Sequence, residues 1–302
     1  MQSNSFKIKE TVQLINEALF FEEKGFAPNL EEHANNIIKL ICQNLEKTLS
    51  LGSNTNYKYS VVYDLNGQNV TITGEINCVK GNNIKPSKNA EFHPQNNTIE
   101  INIENLAVAN IQNWLENNTF FKSSLMHELK HLYQYIKLRS NVNNTNKPNI
   151  IPFKNRQIYK NNLSVLSSST NITAKQIAYL IYYTFPTEIT AIQEALYIEI
   201  KNKCKHSFEL LNLLFESNLS MVSADINKML DDLSNLTDKA KESLTAFLKK
   251  NYNRDIPWFI NRLTKGKKLI DRALKRIEKK IRFELGMNEG AFIDIDYLLN
   301  NK

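Results

Sequence analysis

The segment Ser124-Leu125-Met126-His127-Glu128-Leu129-Lys130-His131 carries two histidines four residues apart, with a glutamate directly after the first. Phe120, Phe121, Leu125, Leu129, Leu132 and Ile136 recur around it at three- and four-residue intervals, which predicts an amphipathic helix over about 118–139. On a helix, residues four apart lie one above the other on one face. Two imidazoles so placed suit one zinc ion, with bonds of about 2.0–2.1 Å. Glu128 projects about 100° away round the helix. There its carboxylate reaches a metal-bound water rather than the metal. A metal that acidifies water and a carboxylate that takes its proton make hydrolytic chemistry. His127 and His131 are therefore candidate metal ligands, and Glu128 a candidate general base.

Such a helix needs elements to hold it. An earlier helix is predicted over 6–24, ended by Gly25 and Pro28. A second follows, with Asn29 as its cap, Glu31 and Glu32 in its first turn, and Leu30, Ile37, Ile38, Ile41, Leu45 and Leu49 as its apolar side. His33, early on that helix, reads as a surface residue. From 57 the period changes to two. Tyr57–Tyr63 and Val70–Ile76 form a predicted hairpin around Asn66-Gly67, the strongest short hairpin signal. A third strand is expected at 98–103, with Ile99, Ile101 and Ile103 inward, and a helical stretch at about 105–116. Residues 140–171 are polar, turn-rich and hold Pro148 and Pro152, which suggests an irregular connection or flap.

Composition sets the outer bounds. The chain has 302 residues, 42% of them hydrophobic, with eight glycines and seven prolines, so a globular core is expected rather than a low-complexity protein. Three dispersed cysteines (Cys42, Cys78, Cys204) without a C-x-x-C pair build no disulfide framework and no thiolate zinc site. With no basic-then-apolar leader and no run of 18 apolar residues, a cytoplasmic protein without a membrane span is expected, or one carried in a virion.

The order of helices, small twisted sheet, strand and H-E-x-x-H helix over about 6–139 resembles the zincin metallopeptidases. The resemblance rests on an architecture and a five-residue motif. It implies an α+β fold: N-terminal helices and a small twisted sheet carrying the H-E-x-x-H helix, followed by a mainly helical C-terminal region. It divides the chain into a metallopeptidase domain, 1–204, and a helical subdomain, 205–302, packed on it. In zincins the edge strand before the active helix pairs with extended substrate, and residues 98–103 occupy the matching place. A plain interior strand explains them equally well.

Two histidines leave a hydrolytic zinc site one protein ligand short. The metzincin pattern is excluded, since neither a glycine at 134 nor a histidine at 137 is present. The segment Phe185-Pro186-Thr187-Glu188-Ile189-Thr190-Ala191-Ile192-Gln193-Glu194-Ala195 is the alternative. Pro186 starts a helix, Thr187 is its predicted cap, Glu188 lies in the first turn, and small Ala191 and Ala195 permit close approach to a neighbouring helix. The segment resembles the P-x-E-I-x-A of gluzincin-type peptidases, including short zincin-like proteins of phages and mobile elements. The resemblance implies Glu188 as the third ligand of Zn2+ and a protein or peptide substrate. Glu194 and Glu199 compete for that role, and Glu188 alternatively serves as a helix-start acid. For the donor to a developing oxyanion the candidates are Tyr182, Tyr183, His206 and Tyr159. Related enzymes often carry such a group where His206 stands, while Tyr182 and Tyr183, following Tyr179 in an apolar helix, read more readily as core packing.

Beyond 205 the pattern is helical, with apolar positions such as Phe208, Leu211, Met221, Ile226, Leu248, Ile270 and Ile277. Gly266 reads as punctuation in the last long helix. Within 262–282 ten cations accumulate: Arg262, Lys265, Lys267, Lys268, Arg272, Lys275, Arg276, Lys279, Lys280 and Arg282. Together with the net charge of +7 they suggest a solvated bundle face or a surface for nucleic acid or another anionic partner. Beside a zinc peptidase, two further readings stand: a structural or interaction protein with a zincin fold, as in a phage particle, and a DNA-associated protease.

Overall fold

The computed structural model describes residues 26–27, 29–49, 56–79, 86–107, 111–140, 151–167 and 172–287. The helix expected at 6–24 and the C-terminal segment 288–302 lie outside them. The described chain is mixed α+β: α1 Leu30–Leu49, β1 Asn56–Leu65, β2 Gln68–Cys78, β3 Ser87–His93, β4 Thr98–Leu106, then α2 Ile111–Asn117, α3 Thr119–Ser140, α4 Ile151–Ser167, α5 Ile172–Tyr183, α6 Pro186–Lys203, α7 Ser207–Phe215, α8 Asn218–Ser234, α9 Asp238–Tyr252 and α10 Ile256–Glu284. No described helix is long and apolar enough to cross a membrane. The described residues form two compact units, one within 26–140 together with 194–202, the other within 151–193 together with 203–287. This division differs from a boundary at 204/205. The described residues of 151–193 group with the C-terminal helices.

In the sheet unit the strand order is β1-β2-β4-β3. β1 and β2 pair antiparallel through Asn66 and Gly67, whose φ angles of 55° and 79° make the tight primed turn that Asn-Gly favours. Gly67 N–H donates to Asp64 Oδ1 at 2.8 Å. β4 runs parallel to β2 and antiparallel to β3. Residues 98–103 are thus an interior strand, and β1 and β3 are the edges. Strand β3 (Ser-Lys-Asn-Ala-Glu-Phe-His) escapes sequence reading because only Phe92 of its side chains is buried, so no apolar alternation marks it.

The alternation expected of β4 holds: Ile99, Ile101 and Ile103 are buried. They join Val70, Ile72 and Ile76 of β2 beneath α1 and α3, which contribute Ile37, Ile41, Leu45, Phe121, Leu125 and Leu129 to the core. Gly74 is required where it stands. Tyr59 lies opposite it, and its hydroxyl crosses the empty Cβ position to donate to the Ile101 carbonyl at 2.6 Å. His33 is half-buried rather than a free surface residue, with Nδ1 2.9 Å from the Tyr63 hydroxyl.

In the helical unit, 151–167 is helix α4, not a flap. Pro152 sits in the first turn, where a missing N–H costs nothing, so the residue that reads as a breaker is a starter. Helices α8, α9 and α10 each begin at a capping side chain: Ser217, Thr237 and Asp255 accept from the amides of Ser220, Ala240 and Trp258 at 3.3, 3.3 and 2.9 Å. Gly266 does not punctuate α10, which runs unbroken for 29 residues. Two positions read as apolar packing face outward instead, Phe208 and Met221, at 73% and 50% exposure.

Candidate metal centre

Helix α3 starts where Asn118 Oδ1 accepts from Phe121 N–H at 3.0 Å. Its apolar stripe, Phe121, Leu125, Leu129 and Leu132, is fully buried and fixes the helix rotation. That rotation brings His127 and His131 together: their Nε2 atoms are 3.2 Å apart, with the rings nearly perpendicular at 82°. His131 is completely buried and His127 half-buried. The other nitrogen of His131, Nδ1, lies 3.1 Å from Oε1 of buried Gln134. A carbonyl acceptor there places the ring proton on Nδ1 and leaves Nε2 a lone pair for a metal.

Glu128 is buried and faces the sheet edge. Its Oε2 accepts the Phe92 amide of β3 at 2.8 Å, and its Oε1 stands 3.9 Å from His127 Nε2. One carboxylate oxygen is therefore anchored, and the other is turned toward the imidazole pair.

The three acids of α6 and their surroundings separate cleanly. Glu194 is 1% exposed and accepts from Lys130 Nζ at 2.7 Å and from the Ala27 amide at 2.6 Å. It is a structural ion-pair partner, and its candidacy as a ligand ends there. Glu199 is half-buried and joins no ligand cluster among the described residues. Glu188, 1% exposed, lies in the first turn of α6. Six residues along an unbroken helix separate it from Glu194, about 9 Å of rise. His127, His131 and Glu188 each offer one ligand atom, all within 4.8 Å of one another, and they are the one such group among the described residues. Thr187, read as the cap, is instead a buried residue inside the first turn, since the helix begins at Pro186.

The donor candidates separate too. Tyr183 ends α5 and is half-buried. Burial raises its pKa, and the negative charge of Glu188 adds to the rise, so the hydroxyl keeps its proton at neutral pH. Tyr182 is buried with its ring edge-on to Tyr183. Tyr159 packs among Phe185 and Tyr252 in the helical core. His206 is exposed at the N-terminus of α7, where its amide and that of Lys205 donate to Glu209 Oε2 at 3.1 and 2.7 Å. His206 is the N-cap residue of α7.

Two further observations bear on alternatives. The thiols are poor ligands: burial pushes the Cys42 pKa up to about 11 and raises those of Cys78 and Cys204. Of the ten cations in 262–282, Arg262 and Arg282 are buried. Arg282 pairs with Glu278 at 2.8 Å. Lys268, Arg272, Lys275 and Lys279 do form an exposed stripe.

Gln134 and Lys130 are participants that sequence reasoning missed. Lys130 lies inside the motif and Gln134 three residues after it, and a polar residue at a core position of an amphipathic helix is the signal that could have found them. No known protein family, curated protein or solved structure matches this chain.

Proposed function

We propose that the chain is a zinc-dependent peptidase of zincin-like, gluzincin type, in which His127, His131 and Glu188 hold Zn2+ and Glu128 is the general base. The 3.2 Å separation of the two Nε2 atoms carries the reading. Two nitrogens bound tetrahedrally at about 2.05 Å stand about 3.3 Å apart. Two imidazoles and a carboxylate form the donor set of a hydrolytic zinc site that keeps a fourth position open. Bound there, zinc would lower the pKa of a water and polarise a carbonyl.

The chain's own groups do the rest. Glu128, fixed through Oε2 by the Phe92 amide, takes a proton on Oε1 from the attacking water and passes it to the leaving amine. Tyr183, whose pKa the nearby Glu188 charge helps to raise, would be the donor to a developing oxyanion. The partner is a protein or peptide chain, and the zincin-like plan of α1 and α3 on one face of a four-stranded sheet supports the assignment.

The test is Glu128→Gln. We expect it to retain one zinc per chain, by metal analysis, and to lose cleavage of a denatured test protein by at least about 100-fold, the scale of a general base. Cleavage at the wild-type rate would reject Glu128 as the base. Stoichiometric zinc with no cleavage by the wild type would leave a zincin-fold scaffold.

A further inference from the structure

The basic C-terminal helix invites reading as a surface, yet its first half buries Phe259, Arg262, Leu263, Gly266 and Ile270 in the helical unit. Arg262 is 6% exposed. Its guanidinium carbon lies 4.6 Å from the ring centre of Phe185 and 5.8 Å from that of Tyr159. Its Nη2 donates to the Ile181 carbonyl at 3.4 Å, in the last turn of α5. Arg262 thus grips the turn between α5 and α6 at Phe185, three residues before Glu188.

One turn along α10, Gly266 approaches that same turn. A Cβ on Gly266 would lie 2.5 Å from Thr184 Cβ. Beyond it, Leu269, Ala273 and Arg276 of α10 and Pro186, Ile189, Thr190 and Gln193 of α6 line one cavity of about 10 Å³, room for about one water. At 100° per residue, the α6 residues lining it point about 150° away from Glu188. Helix α10 therefore backs the face of α6 opposite the carboxylate.

We infer that Arg262 and Gly266 are positioning residues, and that α10 is the strut that holds Glu188 at the metal position. A carboxylate in the first turn of a helix is placed by the angle at which the helix leaves its turn, and the turn at 184–186 is set by α10. This rests on the reading of Glu188 as a ligand. The guanidinium suits the task because it stacks flat on aromatic faces while donating to a helix-end carbonyl, which an ammonium cannot do.

Zinc affinity of the full chain, measured by competition with a chromogenic chelator, tests it. The variants are Arg262→Met, Gly266→Ala, Glu188→Ala and the double variant Arg262→Met/Glu188→Ala. We expect at least tenfold weaker zinc binding for each single variant, and no further loss when Arg262→Met is added to Glu188→Ala. Arg262→Lys, which keeps a cation but loses the planar stack, replaces Arg262→Met if that variant fails to fold. Folded Arg262 and Gly266 variants that bind zinc within threefold of wild type would overturn the inference and leave the ligand reading intact. An Arg262→Met loss undiminished by Glu188→Ala would do the same, because the effect would then be general loosening. A wild-type chain that binds no zinc, or one unaffected by Glu188→Ala, would overturn the ligand reading and this inference with it.

Discussion

Glu188 and Glu194 stand six residues apart on one buried helix; Glu194 holds an ion pair with Lys130, and the proposed function gives Glu188 a metal to hold. Glu194→Gln separates the two. Glutamine keeps the shape and an acceptor for the Ala27 amide, now at 2.6 Å, but removes the charge facing Lys130 at 2.7 Å. The ammonium is 9% exposed, so water replaces little of what is lost. Removing one member of a buried pair costs about 3–5 kcal/mol, mostly the uncompensated charge left behind. For a unit of this size that lowers the thermal midpoint by roughly 6–20 °C. Circular dichroism melts of wild type and Glu194→Gln measure the loss. Adding Lys130→Met should recover most of it, since replacing both charges with apolar bulk is often close to neutral. Zinc affinity of folded Glu194→Gln should stay near wild type, whereas Glu188→Gln should lose it. A Glu194→Gln chain as stable as wild type, or one that is stable but cannot bind zinc, would refute the division of roles.

Three further outcomes follow from the geometry. Gln134→Leu removes the acceptor 3.1 Å from His131 Nδ1, and zinc affinity should fall about 10–100-fold with the fold intact, read by chelator competition. Gly74→Ala puts a methyl against the Ile101 carbonyl and 2.7 Å from the Tyr59 hydroxyl, and should cost roughly 1–3 kcal/mol in urea unfolding. Glu31 has a lowered pKa: burial raises it, but hydrogen bonds from Lys122 and Lys201 at 2.9 and 3.0 Å outweigh that. Its contribution is complete above the unfolded carboxylate range and is lost as pH falls through the lower folded value. Wild type should therefore exceed Glu31→Gln in urea midpoint at neutral pH, and the two should converge below about pH 4.

What the sequence discloses is what local periodicity controls. The α3 helix shows its histidine pair because both histidines sit on one short repeat, and the β1–β2 turn shows itself because Asn66-Gly67 tolerates positive φ. The interior place of β4 stays hidden because β3 has too few buried side chains to announce an edge strand. The roles of Glu188 and Glu194 stay hidden for another reason. Lys130 and Ala27, which claim Glu194, lie 64 and 167 residues away in the chain. Arg262 was legible in part, because it stands four residues before Gly266 and eight before Ile270, on the apolar spacing of α10, where an outward cation has no place.

The bond between Glu128 and the Phe92 amide has a consequence for how the molecule keeps itself apart from its neighbours. β3 is one of the two outer strands of the sheet, and an outer strand offers its unsatisfied amides to any extended chain, including another copy of the same protein. Glu128 occupies one of those amides with a negative charge. An alanine at 128 would clear that position and leave the border free to recruit strands, so loss of solubility would be confounded with loss of chemistry. Glutamine keeps an oxygen on the amide and avoids this.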